Sequence, residues 1–387
     1  MKAKRLLPGR SEGTDDQPVV GTVRVDPRTK DLAKRLQPGE IAVIDHEDLD
    51  RVAAETLIDA GAGAIVNAAP SITGRYPNSG PLLVVQAGIP ILDDVGPEVM
   101  HALSEGQTAT LDGTKLIVDG QVVATGTRQD EASIDAVLDV ARTTMGSELE
   151  RFAANTLEYI RKEGHLLVDE PDIPEVPVDF RGRHVLIVVR GIDYKKDLQV
   201  LRQSGYLTEL RPVLVGVDGG ADALIDVGLK PDVIIGDFDS VSERSLRCGA
   251  VLVVHGYEGG KAPGAERLAE MGLDHVVFES AGTSEDIAML LAYERGASLI
   301  VAVGTHNSMV EFLDKGRAGM ASTFLVRLKV GPILVDAKGV SRLYANRVRK
   351  RDLLLLVAAA AVTLVLILLV SEPARVLVRG LGLPFVE

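Results

Sequence analysis

Pro212 to Val241 reads PVLVGVDGGADALIDVGLKPDVIIGDFDSV. An apolar run ends at an Asp-Gly-Gly turn, a short helical stretch follows, and Pro231-Asp232 opens a second apolar run that closes on two aspartates two residues apart. Strand, tight turn, helix and strand in that order is the repeating unit of a parallel α/β sheet, whose ligands sit beyond the carboxyl ends of its strands. Asp218, Asp237 and Asp239 all fall at such ends. Gly219 and Gly220 let a backbone approach phosphate oxygens closely, and a helix beginning near Ala221 turns its positive end toward them. Side chains alternate on an extended backbone, so Asp237 and Asp239 are expected on one side, where two hard oxygen donors suit Mg2+ carried by a polyphosphate. A single acid after a strand is ordinary turn or capping chemistry. Three of them at adjacent strand ends beside a Gly-Gly turn favour a ligand.

Around this segment, 387 residues that are 46% hydrophobic and 25% charged make a chain too long for one ordinary core and too apolar for disorder. A net charge of −13 argues against nucleic acid as a partner, because phosphate neutralisation needs a basic face. The single Cys248 has no Cys partner for a disulfide or a structural zinc site, which fits a reducing compartment and a small buried hydrophobe.

Residues 1–20 read as a flexible N-terminus without the apolar run of a secretory signal. An N-terminal α/β domain is expected over 21–130, with strands at Glu40–Ile44 and Gly63–Ala68 around a helix that follows Asp45-His46-Glu47-Asp48. Pro70 to Pro81 is turn chemistry, and the Asp-Gly pairs at 112–113 and 119–120 mark hairpins in a small β layer. His46, Glu47, Asp48 and Asp50 suit a helix's first turn better than a metal cluster. Arg75 and Tyr76 either line a site or brace their turn. Over 131–166 apolar residues from Ile134 to Ile160 recur every three or four positions, predicting one long helix with a possible break at Gly146, suited to interdomain packing or to self-association. The Pro-rich, acidic stretch 167–180 reads as a stiff linker, and a second, parallel α/β domain is expected over 181–346.

At the far end, Leu353 to Val370 runs eighteen residues without a charge. As a helix it would span roughly 27 Å, the reading for a transmembrane helix over 353–370 in the lipid bilayer. Arg342, Arg347, Arg349, Lys350 and Arg351 precede it and only Arg375 and Arg379 follow. The positive-inside rule then leaves the N-terminal bulk cytoplasmic and a short tail, 371–387, outside the cell membrane.

Val217 to Val241 closely resembles the thiamine pyrophosphokinase family. That family's Asp-Gly-Gly-Ala and Pro-Asp…Gly-Asp-Phe-Asp-Ser motifs stand here as Asp218-Gly219-Gly220-Ala221 and Pro231-Asp232…Gly236-Asp237-Phe238-Asp239-Ser240. The resemblance implies Mg2+ and a nucleotide such as ATP as cofactors. Asp218, Asp237 and Asp239 would serve the metal, and those acids with Gly219, Gly220 and Ser240 the phosphates. The family's later Thr-Asp looks like Ser284-Glu285-Asp286, which makes Asp286 a fourth acid. By the same resemblance a homodimer is expected. The acceptor-side Arg-x-Asp-His of the kinases is missing: Gly304 is followed by THNSMVEFLDKGR, where His306 has no matched acid in the sequence, and Lys261 in GYEGGKAPG is a further cation that could reach a phosphate. After Thr323 only FLVRLKV and PILVDA remain, a reduced version of the family's second β domain.

Over nearly its whole length the chain resembles the SteA-type cytokinetic-ring proteins, through RTKDL at Arg28–Leu32, IAVIDHEDLDRVAAE at Ile41–Glu55 and SITGRYPNSGP at Ser71–Pro81. That resemblance implies a regulator of bacterial cell division and daughter-cell separation, working at the septum with a membrane-protein partner. Acids retained without the acceptor motif predict ligand binding without thiamine kinase activity; the alternative is an active ATP-dependent pyrophosphokinase, similar to thiamine diphosphokinase, with an unknown acceptor.

Overall fold

The computed structural model describes residues 17–163, 173–257, 260–280, 282–306, 308–314, 319–338 and 350–370. Two sheets carry the architecture. In the first, β1 (Val19–Val25), β2 (Ile41–Ile44), β3 (Ala64–Asn67) and β4 (Ile91–Asp93) are parallel neighbours. The helices Thr29–Arg35, Arg51–Asp59 and Gly80–Gln86 connect them. Every residue of β2 and β3 is buried, as expected for strands covered on both faces. β5 (Thr108–Asp112), β6 (Lys115–Val118) and β7 (Gln121–Thr125) form an antiparallel meander on the β1 edge, and β8 (Thr127–Gln129) pairs antiparallel with β4. The turns between β5, β6 and β7 are the two Asp-Gly pairs, with Asp119, Gly113 and Gly120 at positive φ. β1 begins at Val19, so packing starts two residues before the Gly21 expected from composition.

The second sheet is parallel throughout: β9 (His184–Val188), β10 (Val213–Val217), β11 (Val233–Gly236), β12 (Val251–Gly256), β13 (Val276–Glu279), β14 (Leu299–Val303) and β15 (Leu334–Asp336). Its spatial order is β13-β12-β11-β10-β9-β14-β15. The chain therefore steps outward from β9 to β13 and then returns to the other side of β9, which puts a topological switch point between β9 and β14. Its core joins the strand residues Val185, Ile187, Val215 and Ile235 to the helix Ser284–Glu294, whose residues Ile287 to Ala292 are all buried.

FLVRLKV, expected as a β run, lies instead inside the helix Gly319–Val330. Ala321, Leu325, Val326 and Val330 are buried at spacings of four, one and four, a helical stripe that satisfies tertiary contacts although the residues favour strands. The reduced β region thus shrinks to β15, which extends the parallel sheet from β14.

The helix Glu131–Glu163 runs unbroken through Gly146. Near its start Ile134 and Leu138 pack with Ile72 of the first sheet's loop. Further along, the Phe152 ring meets Phe312 at 5.8 Å and Phe324 at 6.3 Å, both from helices of the second sheet. One helix thereby braces both sheets, which together form one compact unit extending to Lys338.

Residues 339–387 make a second unit, whose described part is the helix Lys350–Val370. Among the described residues no helix is long and apolar enough to cross a membrane. The expected transmembrane helix at 353–370, and with it the single-pass cell-membrane location, is corrected accordingly. The N-terminal 1–16, the last three residues of the expected long helix (164–166), the first part of the Pro-rich linker (167–172), most of the basic cluster before the C-terminal helix and the tail 371–387 lie outside the described residues.

If the aromatic contact is what ties the long helix to the second sheet, Phe152→Ala should lower unfolding stability by about 1–3 kcal/mol in urea titrations. Leu157→Ala, on the same helix but 57% exposed, should change it little. Equal effects would mean that the helix is not held by this cluster.

Candidate functional site

The carboxyl ends of β10 and β11 meet where the motif residues lie. Asp218 follows β10 in a left-handed conformation, φ 45°. Its carboxylate occupies space that any side chain at residue 236 would fill, since a Cβ there would stand 1.8 Å from Asp218 Oδ1. Gly236, which ends β11, is therefore required by a close approach. The Phe238 N–H donates to the same oxygen at 3.2 Å. Burial, reinforced by the charge of Asp237, pushes the Asp218 carboxyl up to about 7, and the hydrogen bonds from Phe238 and Ser284 only partly oppose this.

Asp237 and Asp239 come together by a different route from the one expected. The strand ends at Gly236 and Phe238 is left-handed, φ 62°, so the backbone is no longer extended. The two acids instead share a turn in which the Asp239 N–H donates to Asp237 Oδ1 at 3.0 Å. Phe238, fully buried between them, anchors that turn in the core beneath. Asp239 also receives a hydrogen bond from an unexpected quarter. Lys30, in the first turn of the helix after β1, places Nζ 2.6 Å from Asp239 Oδ2. Partial burial alone would raise the Asp239 carboxyl, but Lys30, Asp237 and Ser240 together hold it below the usual carboxylate range.

The glycine pair has a structural duty. A Cβ at Gly220 would stand 1.9 Å from the Val188 carbonyl oxygen, and one at Gly219 would press on the Arg190 side chain at 2.8 Å. The helix that follows, Gly220–Asp226, is only seven residues long. Asp286 lies at the start of the helix Ser284–Glu294, where its Oδ2 serves the architecture and its buried Oδ1 has no hydrogen-bond partner among the described residues. It forms a capping box with Thr283, and its Oδ2 accepts from Ser322 Oγ at 2.6 Å and Thr323 Oγ1 at 3.1 Å. Burial raises its carboxyl to about 6.

Among the described residues no group of three or more His, Cys, Asp or Glu is placed to hold a metal ion. The predicted three-acid metal set is thus brought to one edge without forming a closed cage. The donors still fit a hard cation. Mg2+ commonly takes one or two carboxylates with the remaining positions filled by water and phosphate, and the Lys30 ammonium already stands as a cation against Asp239.

His306 gains the acid that its sequence neighbourhood lacks. Glu285, buried beneath it, takes His306 Nδ1 at 2.9 Å, and Arg327 lies 3.7 Å from the other Glu285 oxygen. His306 lines a crevice of about 350 Å³ at the β9/β14 switch point together with Arg190 and with Arg51, Tyr76 and Asn78 from the first sheet's connections. Those loops are themselves braced: Asp50 caps the helix Arg51–Asp59 through the Ala53 N–H, and buried Asp48 accepts from Thr73 and Arg75, which gives Arg75 the bracing role. Lys261 offers its carbonyl to the Tyr257 N–H. The residues that sequence reasoning missed are Lys30, Arg190 and the Glu285–His306 pair. RTKDL and Ser-Glu-Asp displayed Lys30 and Glu285, but not their partners 209 and 21 residues away.

Residues 338–385 match the family model of the SteA-like C-terminal domain. The chain is also 30% identical over 90 residues to a 6-hydroxymethyl-7,8-dihydropterin pyrophosphokinase of Methanocaldococcus jannaschii, covering 21% of this chain and 37% of that protein. A protein of the same name from Methanothermobacter thermautotrophicus is 29% identical over 160 residues, covering 38% of this chain and 64% of the relative. The chain thus spans less than two thirds of either relative. It carries a SteA-like C-terminal domain and has pyrophosphokinase-like homology.

The raised Asp218 carboxyl predicts a pH signature. A folded-state value of about 7 lies above the ordinary 3.8, so the neutral form is favoured in the fold and stability falls as pH rises between those values. Asp218→Asn keeps an acceptor for the Phe238 N–H and cannot ionise. Its melting temperature should approach wild type at pH 4 and exceed it increasingly up to pH 8. A difference that does not change with pH would contradict the buried-carboxylate account.

Proposed function

We propose that the carboxyl edge of β10 and β11 binds a nucleotide or other polyphosphate together with Mg2+, and that the protein uses this as a ligand-responsive regulator of cell division without thiamine kinase activity. The observation that carries the binding is the Asp237–Asp239 turn set against buried Asp218, with a cation already paired to Asp239. A polyphosphate brought to these carboxylates needs a divalent ion between them, and Mg2+ supplies that charge when bound. The named activity of the two archaeal relatives supports a diphosphate-bearing ligand, and the SteA-like C-terminal match supports the division role.

A second reading, pyrophosphoryl transfer, is favoured by the Glu285–His306 pair in the switch-point crevice. There the acceptor hydroxyl oxygen would bond to the β-phosphorus of a nucleoside triphosphate as the bond from that phosphorus to the α,β-bridging oxygen breaks. A nucleoside monophosphate leaves, and the hydroxyl proton passes to His306 Nε2, with Glu285 fixing the imidazole through Nδ1. Loss of the Arg-x-Asp-His signature argues against thiamine as that acceptor.

Calorimetric titration of the full chain with ATP should show binding that needs Mg2+. Asp237→Asn and Asp239→Asn should each weaken it by about tenfold or more while melting stays near wild type. Unchanged affinity in the double variant would remove the binding reading. Thiamine should not be converted to its diphosphate. Turnover of 6-hydroxymethyl-7,8-dihydropterin that is lost in His306→Asn would replace the regulator with the transferase.

A further inference from the structure

The residues that approach the acid edge do not all come from the second sheet. A crevice of about 340 Å³ begins at Ser240, directly after Asp239, and is lined by Lys34, Arg190, Asp222, Ser242 and Arg244 as well. Lys34 belongs to the first sheet's helix Thr29–Arg35, the same helix that sends Lys30 to Asp239. Arg190 leaves the end of β9 and lies against Gly219 of the Asp-Gly-Gly turn, so the crevice is continuous with the motif residues.

The charges in this crevice are unevenly committed. The Asp222 carboxylate is occupied by the hydroxyls of Ser242 and Ser245 and has Arg190 at 3.6 Å. Arg190 and Arg244 make no hydrogen bond among the described residues. Lys34 reaches the half-buried Asp31 on its own helix, at 2.9 Å. Asp226 is the one further acid on the wall. Four cations, Lys30, Lys34, Arg190 and Arg244, therefore flank this stretch: the first three are each held by one carboxylate, Asp239, Asp31 and Asp222, and Arg244 has no hydrogen bond or ion pair among the described residues. The Lys30–Asp239 pair is exposed on both sides, 47% and 41%. Such a pair is worth little and exchanges partners at small cost.

We infer that the polyphosphate site is composite: the first sheet contributes Lys30 and Lys34 to a phosphate chain that lies along the crevice from Asp239 toward Arg190 and Arg244. The ligand class is a linear di- or triphosphate, free or nucleotide-borne, because a chain of anionic groups can meet successive cations whereas a single anion would satisfy only one or two. On binding, Lys30 exchanges the Asp239 carboxylate for a phosphate oxygen, which leaves that carboxylate to the accompanying cation. The ligand then bridges the two sheets, and its presence is felt by the domain that carries the RTKDL stretch. This inference rests on the phosphate-binding reading of the β10/β11 edge and adds to it the first sheet's share.

The test uses the full chain and isothermal titration with inorganic tripolyphosphate and with ATP, each with Mg2+, at two salt concentrations. Wild type should bind both. Lys30→Ala and Lys34→Ala together should lose about tenfold or more in affinity and show a shallower salt dependence, with unchanged melting, and Lys30→Arg should restore most of the loss at that position. If wild type binds neither ligand, the phosphate-edge reading fails and this inference with it. If wild type binds and the double lysine variant binds as well, the composite site alone is overturned. Tighter binding by Lys30→Ala would overturn it too, since Lys30 would then be a competitor of the cation. Binding of ATP but not of tripolyphosphate would show that the base and sugar, not the phosphate chain, are recognised.

Discussion

The buried carboxylate of Asp218, seated where Gly236 has no side chain, is the constraint around which the second sheet's functional edge is built. It joins two adjacent strand ends, β10 and β11, by a contact that no other residue at 236 would permit. Its acceptance of the Phe238 N–H draws the following turn into place, and that turn in turn presents Asp237 and Asp239. A charged group in such a position is unfavourable on its own, as its raised carboxyl shows. Left-handed backbone at Asp218 and Phe238 adds to the cost. Conformations of this kind persist when the surroundings over-determine them, and here a fully buried Phe238 ring and a parallel sheet on both sides do so.

The second organising feature is that the first sheet addresses the carboxyl edge of the second. Lys30 reaches Asp239, Lys195 reaches Asp59 at 2.6 Å, and Arg51 lies 3.6 Å from Asp193. Each of these pairs is solvent-exposed and contributes little stability by itself. Their common location matters more, because it places the loops after β1 and β2 over the strand ends where an α/β sheet takes its ligands. The long helix Glu131–Glu163 supplies the apolar part of the same association through Phe152. An interface that combines the two ring contacts of Phe152 with several exchangeable ion pairs can respond to an anionic ligand that competes for the lysines.

Much of the local architecture was legible in the sequence. Strand ends, Asp-Gly turns and the alternation of strand and helix followed from local pattern, and Asp218, Asp237 and Asp239 lie at one edge as the motif implies. Other readings went astray where local pattern was overridden. FLVRLKV has the composition of a strand, yet its apolar residues are buried at helical spacing against the second sheet. Leu353 to Val370 reads as a bilayer span by composition, but among the described residues no helix is long and apolar enough for one.

The sequence by itself determined the α/β class with its parallel second sheet, the positions of the acids at strand ends and the absence of the kinase acceptor motif, because each of these depends on residues close together in the chain. Tertiary structure alone decided which groups meet across long separations. Lys30 finds Asp239 and His306 finds Glu285 only after the sheets form and the order β10-β9-β14 opens a switch point. A hydrogen bond between residues 209 positions apart leaves no periodic trace in the sequence, since its geometry is set by strand order and by the packing of one sheet's edge over another's.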